Sequence, residues 1–140
     1  MNSFRFEDIT VGMKQSFQMN ITEEAMDHFL AITGDENPLH RDPDFARMMG
    51  YENTVVYGML TASLFSTLAG VYLPGERSVI RKVQADFPKP VFVGDTLDIS
   101  GEVTAINDRF GYFEMKTMIR NQKGEKVCRG KMEIGFLEEK

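Results

Sequence analysis

Residues 58–72 read GMLTASLFSTLAGVY, and this stretch decides the fold. Its apolar residues fall on every side of a helix, and its polar residues are only small serines and threonines. A helix that is apolar all round is a buried helix. This one is too short to span a bilayer, which takes roughly 20 residues. We therefore predict a buried central helix that begins at Gly58 and is stopped by Leu73-Pro74-Gly75.

The rest of the chain has the alternation of apolar and polar residues that is typical of β-strands. Strands are predicted at residues 79–87, 97–105, 113–119 and 131–136, with turns at 88–90, 107–108 and 121–124. Long strands joined by short turns favour an antiparallel sheet, whose apolar face must be covered. The prediction is an α+β fold in which a curved antiparallel sheet wraps around the one buried helix.

The first 50 residues predict one more strand and two short helices. Residues 17–21 alternate like a strand. Thr22 is typical of a helix N-cap, and Gly34 of the residue that ends that helix. Asp42 and Pro43 then predict the start of a second helix that ends at Gly50. The turn-rich, polar residues 34–42 lie between the two helices.

Composition limits the classes of protein to which the chain can belong. Its 140 residues are close to the commonest size of one domain, so residues 1–140 are predicted to form a single domain. A net charge of −5 and the lack of Lys/Arg runs argue against a nucleic-acid or membrane partner. The one cysteine, Cys128, excludes an intramolecular disulfide, metal-ligand spacing is absent, and a reducing cytoplasm is the expected compartment.

Two histidines are available for chemistry. His28 lies on the first predicted helix and is interpreted as a partly exposed helix residue. His40 follows Asp35 across a segment that contains Pro38, which could fold both side chains towards one cleft. A carboxylate and an imidazole that converge on one water form an acid–base pair suited to neutral pH. On spacing alone, however, an ordinary Asp-x-Asn-Pro turn remains the preferred interpretation.

Residue identities change that balance. The run from Phe29 through Gly34-Asp35-Glu36-Asn37-Pro38-Leu39-His40 to Ala46 resembles the signature of the MaoC-like, or R-specific enoyl-CoA hydratase, family. Residues 57–63 resemble the start of that family's central helix, and residues 87–95 resemble its strand–turn–strand segment. The resemblance covers nearly the whole chain in the right order.

The resemblance implies a hot-dog fold and reversible hydration of a trans-2-enoyl-CoA to the R-3-hydroxyacyl-CoA. It implies that Asp35 and His40 activate the water and deliver its proton to the α-carbon, with Asn37 orienting them. The Gly58 amide, at a helix N-terminus, would hold the thioester oxygen. No metal and no cofactor beyond the CoA thioester substrate is expected. The resemblance also implies a two-fold homodimer, or a hexamer built from such dimers, with the thioester channel near the subunit interface.

Further positions are candidates for contacts with the substrate. Tyr57 stands where the family usually has His, and it either lines the site or packs beside it. Lys89, like Lys82 and Arg41, could meet the CoA phosphates, although solvated surface charge is the plainer interpretation. Ser66 could border the acyl pocket, or its hydroxyl could bond back to its own helix.

Two alternative functions stay open at this point. One is a related hot-dog activity, above all a dehydratase that acts on carrier-protein thioesters. The other is a non-catalytic subunit that binds acyl-CoA. Such a subunit could lose Asp35 or His40, and both residues are present.

Overall fold

Five antiparallel strands form one sheet in the computed structural model, which describes residues 1–138. Their order across the sheet is β1-β3-β4-β5-β2, so β1 and β2 are the two edges. The last two residues of the predicted domain, Glu139 and Lys140, lie outside the described residues. The strands are β1 (Lys14–Asn20), β2 (Ser78–Asp86), β3 (Thr96–Asn107), β4 (Tyr112–Arg120) and β5 (Lys126–Phe136).

The helices lie before β2 in the chain. They are α1 (Glu23–Thr33), α2 (Pro38–Arg41), α3 (Pro43–Met48) and α4 (Gly58–Thr67), and α4 continues into a π-helical turn over Leu68–Tyr72. A 3₁₀ turn over Phe6–Asp8 precedes β1. In residues 1–138, no helix combines the length and the apolar character that crossing a membrane requires.

The predicted helix ends are present. The Thr22 hydroxyl accepts a hydrogen bond from the Ala25 amide at 3.1 Å, and Gly34 ends α1 with a φ of 71°. α2 was not predicted, because residues 34–42 had the composition of a loop. It forms because Asn37 accepts a bond from the Leu39 amide at 3.0 Å and Pro38 occupies the first helical position.

The core lies between α4 and the concave face of the sheet. One side of α4 is buried, and apolar residues from the middle strands cover it, which is the predicted architecture. The buried helix residues are Thr61, Leu64, Phe65, Leu68 and Ala69, and the sheet contributes among others Leu97, Ile99, Phe113, Met115 and Ile134.

The other side of α4 is not covered. Met59 is 69% exposed, and Ser63 and Ser66 are also exposed. These residues fall on one face of the helix, at spacings of four and three. The prediction that all sides of the helix are buried is therefore wrong for this face, because one sheet covers only the side towards it.

Strand β2 is open as well. It is an edge strand, and seven of its nine residues are exposed. Val79, Ile80 and Val83 are 37% to 46% exposed. An edge strand has unpaired backbone donors and acceptors, and an apolar one invites pairing with another chain. The described chain thus has two uncovered surfaces, the Met59 face of α4 and the edge strand β2.

Candidate active site

A cleft of about 270 Å³ lies at the N-terminal end of α4. His40 from α2, Gly58 and Thr61 from α4, and the turn after β2 all contribute to its lining. The turn supplies Phe87 and Lys89, so residues far apart in sequence meet here. The cleft therefore contains an imidazole beside the start of the central helix.

His40 is oriented by the backbone. Its Nδ1 lies 2.7 Å from the carbonyl oxygen of Val55. A carbonyl can only accept a hydrogen bond, so Nδ1 carries the proton when the ring is neutral. The same assignment leaves Nε2 as an acceptor, and an accepting imidazole nitrogen beside a cleft can take a proton from water.

Asp35 lies in the loop between α1 and α2 and is exposed. Its carboxylate accepts a hydrogen bond from the Asn37 amide at 3.1 Å. Its backbone carbonyl accepts another from the Tyr57 hydroxyl at 2.7 Å. The loop that carries Asp35 is therefore tied to the residue that precedes α4.

Tyr57 packs behind His40 and is not among the residues that line the cleft. Its side chain is only 1% exposed, and its ring centroid lies 4.3 Å from that of His40 and 4.7 Å from that of Phe29. Burial raises the pKa of the Tyr57 phenol, so the hydroxyl stays protonated and can donate to Asp35. Of the two predicted roles, the geometry fits packing beside the site.

The side chain of Asn37 bonds to the backbone of α2. Its side-chain oxygen accepts from the Leu39 amide and caps α2, the short helix that holds His40. It therefore positions the helix that carries the imidazole.

Of the other predicted contacts, Lys89 and Arg41 form ion pairs, whereas Ser66 and Lys82 lie away from the cleft lining. Lys89 borders the cleft, but its ammonium group pairs with Glu125 at 2.7 Å, and this bond lowers the pKa of the Glu125 carboxyl. Arg41 pairs with Asp27 at 2.8 Å. Ser66 lies on the exposed face of α4, outside the lining of the cleft, and Lys82 is exposed on β2.

Sequence reasoning missed three contributions to this region. The carbonyl of Val55 gives no signal in a sequence. Phe87 was noted only as part of a motif, yet its ring lies 3.5 Å from the place where a side-chain carbon on Gly58 would stand. Thr61 was grouped with the small polar residues of the central helix, although its position three residues after Gly58 was a usable signal. Across residues 1–138, no cluster of three or more His, Cys, Asp or Glu is suited to hold a metal ion.

Comparison with known proteins shows the family. The family described as "MaoC like domain" matches residues 6–125. The chain belongs to the MaoC-like domain family. It is 37% identical over 124 residues to the (R)-specific enoyl-CoA hydratase of Aeromonas caviae, covering 89% of this chain and 92% of that protein.

Solved structures of MaoC-like proteins share the fold. The R-hydratase of A. caviae superposes with a TM-score of 0.89 at 35% identity, over 94% of this chain and 99% of that one. An R-hydratase from Pseudomonas aeruginosa gives 0.90 at 30% identity, over 98% and 88%. The hot-dog fold and the family resemblance predicted from sequence are confirmed.

The orientation of His40 gives the first testable prediction. At a pH where both rings are neutral, ¹⁵N NMR should show His40 with a protonated Nδ1 and an unprotonated Nε2, because the Val55 carbonyl oxygen that Nδ1 faces can only accept. His28 is the control in the same spectrum. Its side chain is 72% exposed and its Nε2 lies 3.9 Å from Glu24, so no carbonyl selects its Nδ1 proton. An unprotonated Nδ1 on His40 would contradict the orientation described above.

Proposed function

We propose that this MaoC-like protein catalyses the reversible hydration of trans-2-enoyl-CoA to R-3-hydroxyacyl-CoA. The observation that carries the proposal is the meeting of His40 and the N-terminal end of α4 at one cleft, with Asp35 tied to the same cluster through Tyr57. The likeness to proteins named (R)-specific enoyl-CoA hydratase supports the choice of substrate and of product configuration. The reaction class is that of a hydro-lyase.

The proposed reaction begins with a water held by Asp35 and His40. As the water oxygen bonds to the β-carbon, one of its protons passes to this acid–base pair. The electron pair of the C=C bond moves towards the thioester, whose carbonyl oxygen becomes an enolate oxygen. Asp35 and His40 then deliver a proton to the α-carbon, so that water has been added across the double bond.

The Gly58 amide is proposed to stabilise the enolate oxygen. The first N–H groups of a helix have no partner within it, and the helix dipole favours negative charge at that end. An amide at the start of α4 is therefore a donor whose hydrogen bond to the oxygen strengthens as the oxygen gains negative charge. No metal or redox cofactor is required in this scheme, because the thioester itself acidifies the α-position.

Lys89 is proposed to contact the phosphates of the CoA moiety. It borders the cleft, and its present partner Glu125 forms an ion pair near the surface. Exposed ion pairs contribute little to stability, so a phosphate can replace Glu125 at a small cost in free energy. This local positive charge attracts an anionic substrate, which the overall charge of −5 would otherwise repel.

The protein is further proposed to be a homodimer, or a hexamer built from such dimers. The Met59 face of α4 and the edge strand β2 support this, because both carry exposed apolar side chains that a second copy would cover. Two copies of one strand related by a two-fold axis pair antiparallel. Ser66 lies on the Met59 face, so it would border an acyl channel formed near the subunit interface.

A second candidate is a dehydratase for carrier-protein thioesters. The mitochondrial 3-hydroxyacyl-[acyl-carrier-protein] dehydratase of Arabidopsis thaliana is 38% identical over 85 residues, which is 61% of this chain and 49% of that protein. Parallel assays with crotonyl-CoA and a crotonylated carrier protein decide between the two carriers. A higher kcat/KM on CoA is expected.

The cytoplasm is the proposed location. Cys128 is buried and free, and burial raises the pKa of its thiol to about 11. An unreactive free thiol is compatible with a reducing compartment.

Removal of the acid–base pair tests the proposed chemistry. Asp35→Asn keeps the shape of the side chain and removes its charge, so turnover of crotonyl-CoA should fall about 10²–10⁴-fold. His40→Gln should be comparable. The double variant should be little worse than either, because the two groups act as a unit. A folded Asp35→Asn variant with near-native turnover would exclude this role of Asp35. A wild-type protein that binds acyl-CoA without turnover would favour the non-catalytic alternative.

The Gly58 amide is tested by two substitutions. Gly58→Pro deletes the N–H, and proline is tolerated at the first position of a helix. Gly58→Ala keeps the donor, and its new carbon would meet the Phe87 ring at an ordinary contact distance of 3.5 Å. We expect the proline variant to turn over about 10²–10³-fold more slowly than the alanine variant, the usual effect of losing one such donor.

Both Gly58 variants must be folded for this comparison, because proline also restricts the conformation of Tyr57. Circular dichroism and thermal unfolding establish that. Equal turnover of two folded variants would leave Gly58 as a packing residue.

The oligomeric state is tested by placing a charge on the edge strand β2. Val83→Glu should shift the mass measured by light scattering from a dimer, or a multiple of it, towards a monomer, because a buried unpaired carboxylate is costly. Val11→Glu is the matched control, because Val11 is 63% exposed in the turn before β1, the edge strand opposite β2. A monomeric, fully active wild-type protein at micromolar concentration would contradict the dimer.

A further inference from the structure

The hydroxyl of Thr61 is buried and has no hydrogen-bond partner within the described residues. The residue is only 1% exposed. Threonines in helices commonly bond back to the carbonyl four residues earlier, as Thr33 does to Phe29 at 2.8 Å. Thr61 leaves that option unused, although its amide bonds to the carbonyl of Tyr57. An unpaired buried polar group costs about 1–3 kcal/mol, so the hydroxyl calls for an explanation.

The position of Thr61 supplies one. It follows Gly58 by three residues, so the two lie on the same face of α4, and both line the cleft that contains His40. Side chains on a helix lean towards its N-terminus, which directs Thr61 towards the first turn. Gly58 has no side chain to fill the space there. Gly58 and Thr61 thus lie together at the N-terminal end of α4, beside the cleft.

Three residues of α-helix rise about 4.5 Å, so the backbone of Gly58 and that of Thr61 are less than one turn apart. Donors of an oxyanion site lie about 2.7–3.1 Å from the oxygen. A backbone N–H and a hydroxyl this near to each other in the helix are the kinds of donor that such a site uses.

We propose that the Thr61 hydroxyl is a second donor to the thioester oxygen, alongside the Gly58 amide. This inference rests on the proposed hydration. When the water oxygen bonds to the β-carbon and the double-bond electrons move to the thioester, the carbonyl oxygen becomes an enolate. Thr61 donates a hydrogen bond to that oxygen, keeps its own proton, and releases the oxygen when the α-carbon is protonated. In the substrate complex, the unpaired hydroxyl is then satisfied.

The thioester reaches this place past Phe87. The Phe87 ring covers Gly58 and is 45% exposed, so it has solvent into which to turn. Because the Thr61 oxygen is buried, ring movement and substrate entry occur together. The return of the apolar ring over the bound thioester excludes water, which strengthens hydrogen bonds to the enolate.

Two substitutions of Thr61 test the proposal. Thr61→Val has nearly the same shape and lacks the donor, whereas Thr61→Ser keeps the donor. With crotonyl-CoA, Thr61→Val should lower kcat about 10²–10³-fold with a much smaller change in KM, because the interaction strengthens as charge develops. Thr61→Ser should keep most of the turnover.

The unfolding temperature distinguishes the proposed role from a structural one. If the hydroxyl stabilised the fold, its removal would lower that temperature. Thr61→Val should unfold at the same or a higher temperature than the wild type, since it removes an unpaired buried hydroxyl. A Thr61→Val variant with wild-type kcat, or one whose kcat falls only together with its stability, would overturn the proposal. A wild-type protein that hydrates no enoyl thioester would instead overturn the proposed function itself, and this inference with it.

Discussion

The segment Val55–Tyr57 holds the site together, because its backbone and side chains bond to three separate parts of the chain. The Val55 amide donates to the Leu39 carbonyl at 3.1 Å, and the Val55 carbonyl accepts from His40. The Val56 amide donates to the Val91 carbonyl at 2.8 Å, which anchors the segment beside the turn that follows β2. Tyr57 then reaches Asp35. Since α4 begins at the next residue, a shift of this segment would displace the imidazole and the helix start together.

The elements of the fold could be predicted because their signals are local. Alternation with a period of two follows from the geometry of a strand, and the caps at Thr22, Gly34 and Asp42 follow from backbone groups that every helix end leaves unpaired. The Asp35–His40 run was found because its residue identities carry the chemistry. α2 escaped notice, since a four-residue helix has too few positions to show a period, and only its cap and proline mark it.

What escaped prediction depends on contacts between distant parts of the chain. The carbonyl that orients His40 lies 15 residues away, and any residue type would supply it. The burial of α4 was overestimated, because an apolar pattern says that a surface should be covered without saying by which chain. Strand β2 raises the same point, since its pattern predicts a strand with a covered face, whereas seven of its nine residues are exposed in the described chain. The second copy proposed above would cover both surfaces.

Tyr57 shows how a departure from the usual family residue changes the contacts that support the site. A phenol reaches further than an imidazole, which suits the 2.7 Å bond to the carbonyl of Asp35 while the ring packs against His40. Because burial raises the pKa of the phenol, this hydroxyl remains a donor at and above neutral pH. The link between Tyr57 and Asp35 therefore does not titrate in the range where the proposed acid–base chemistry operates.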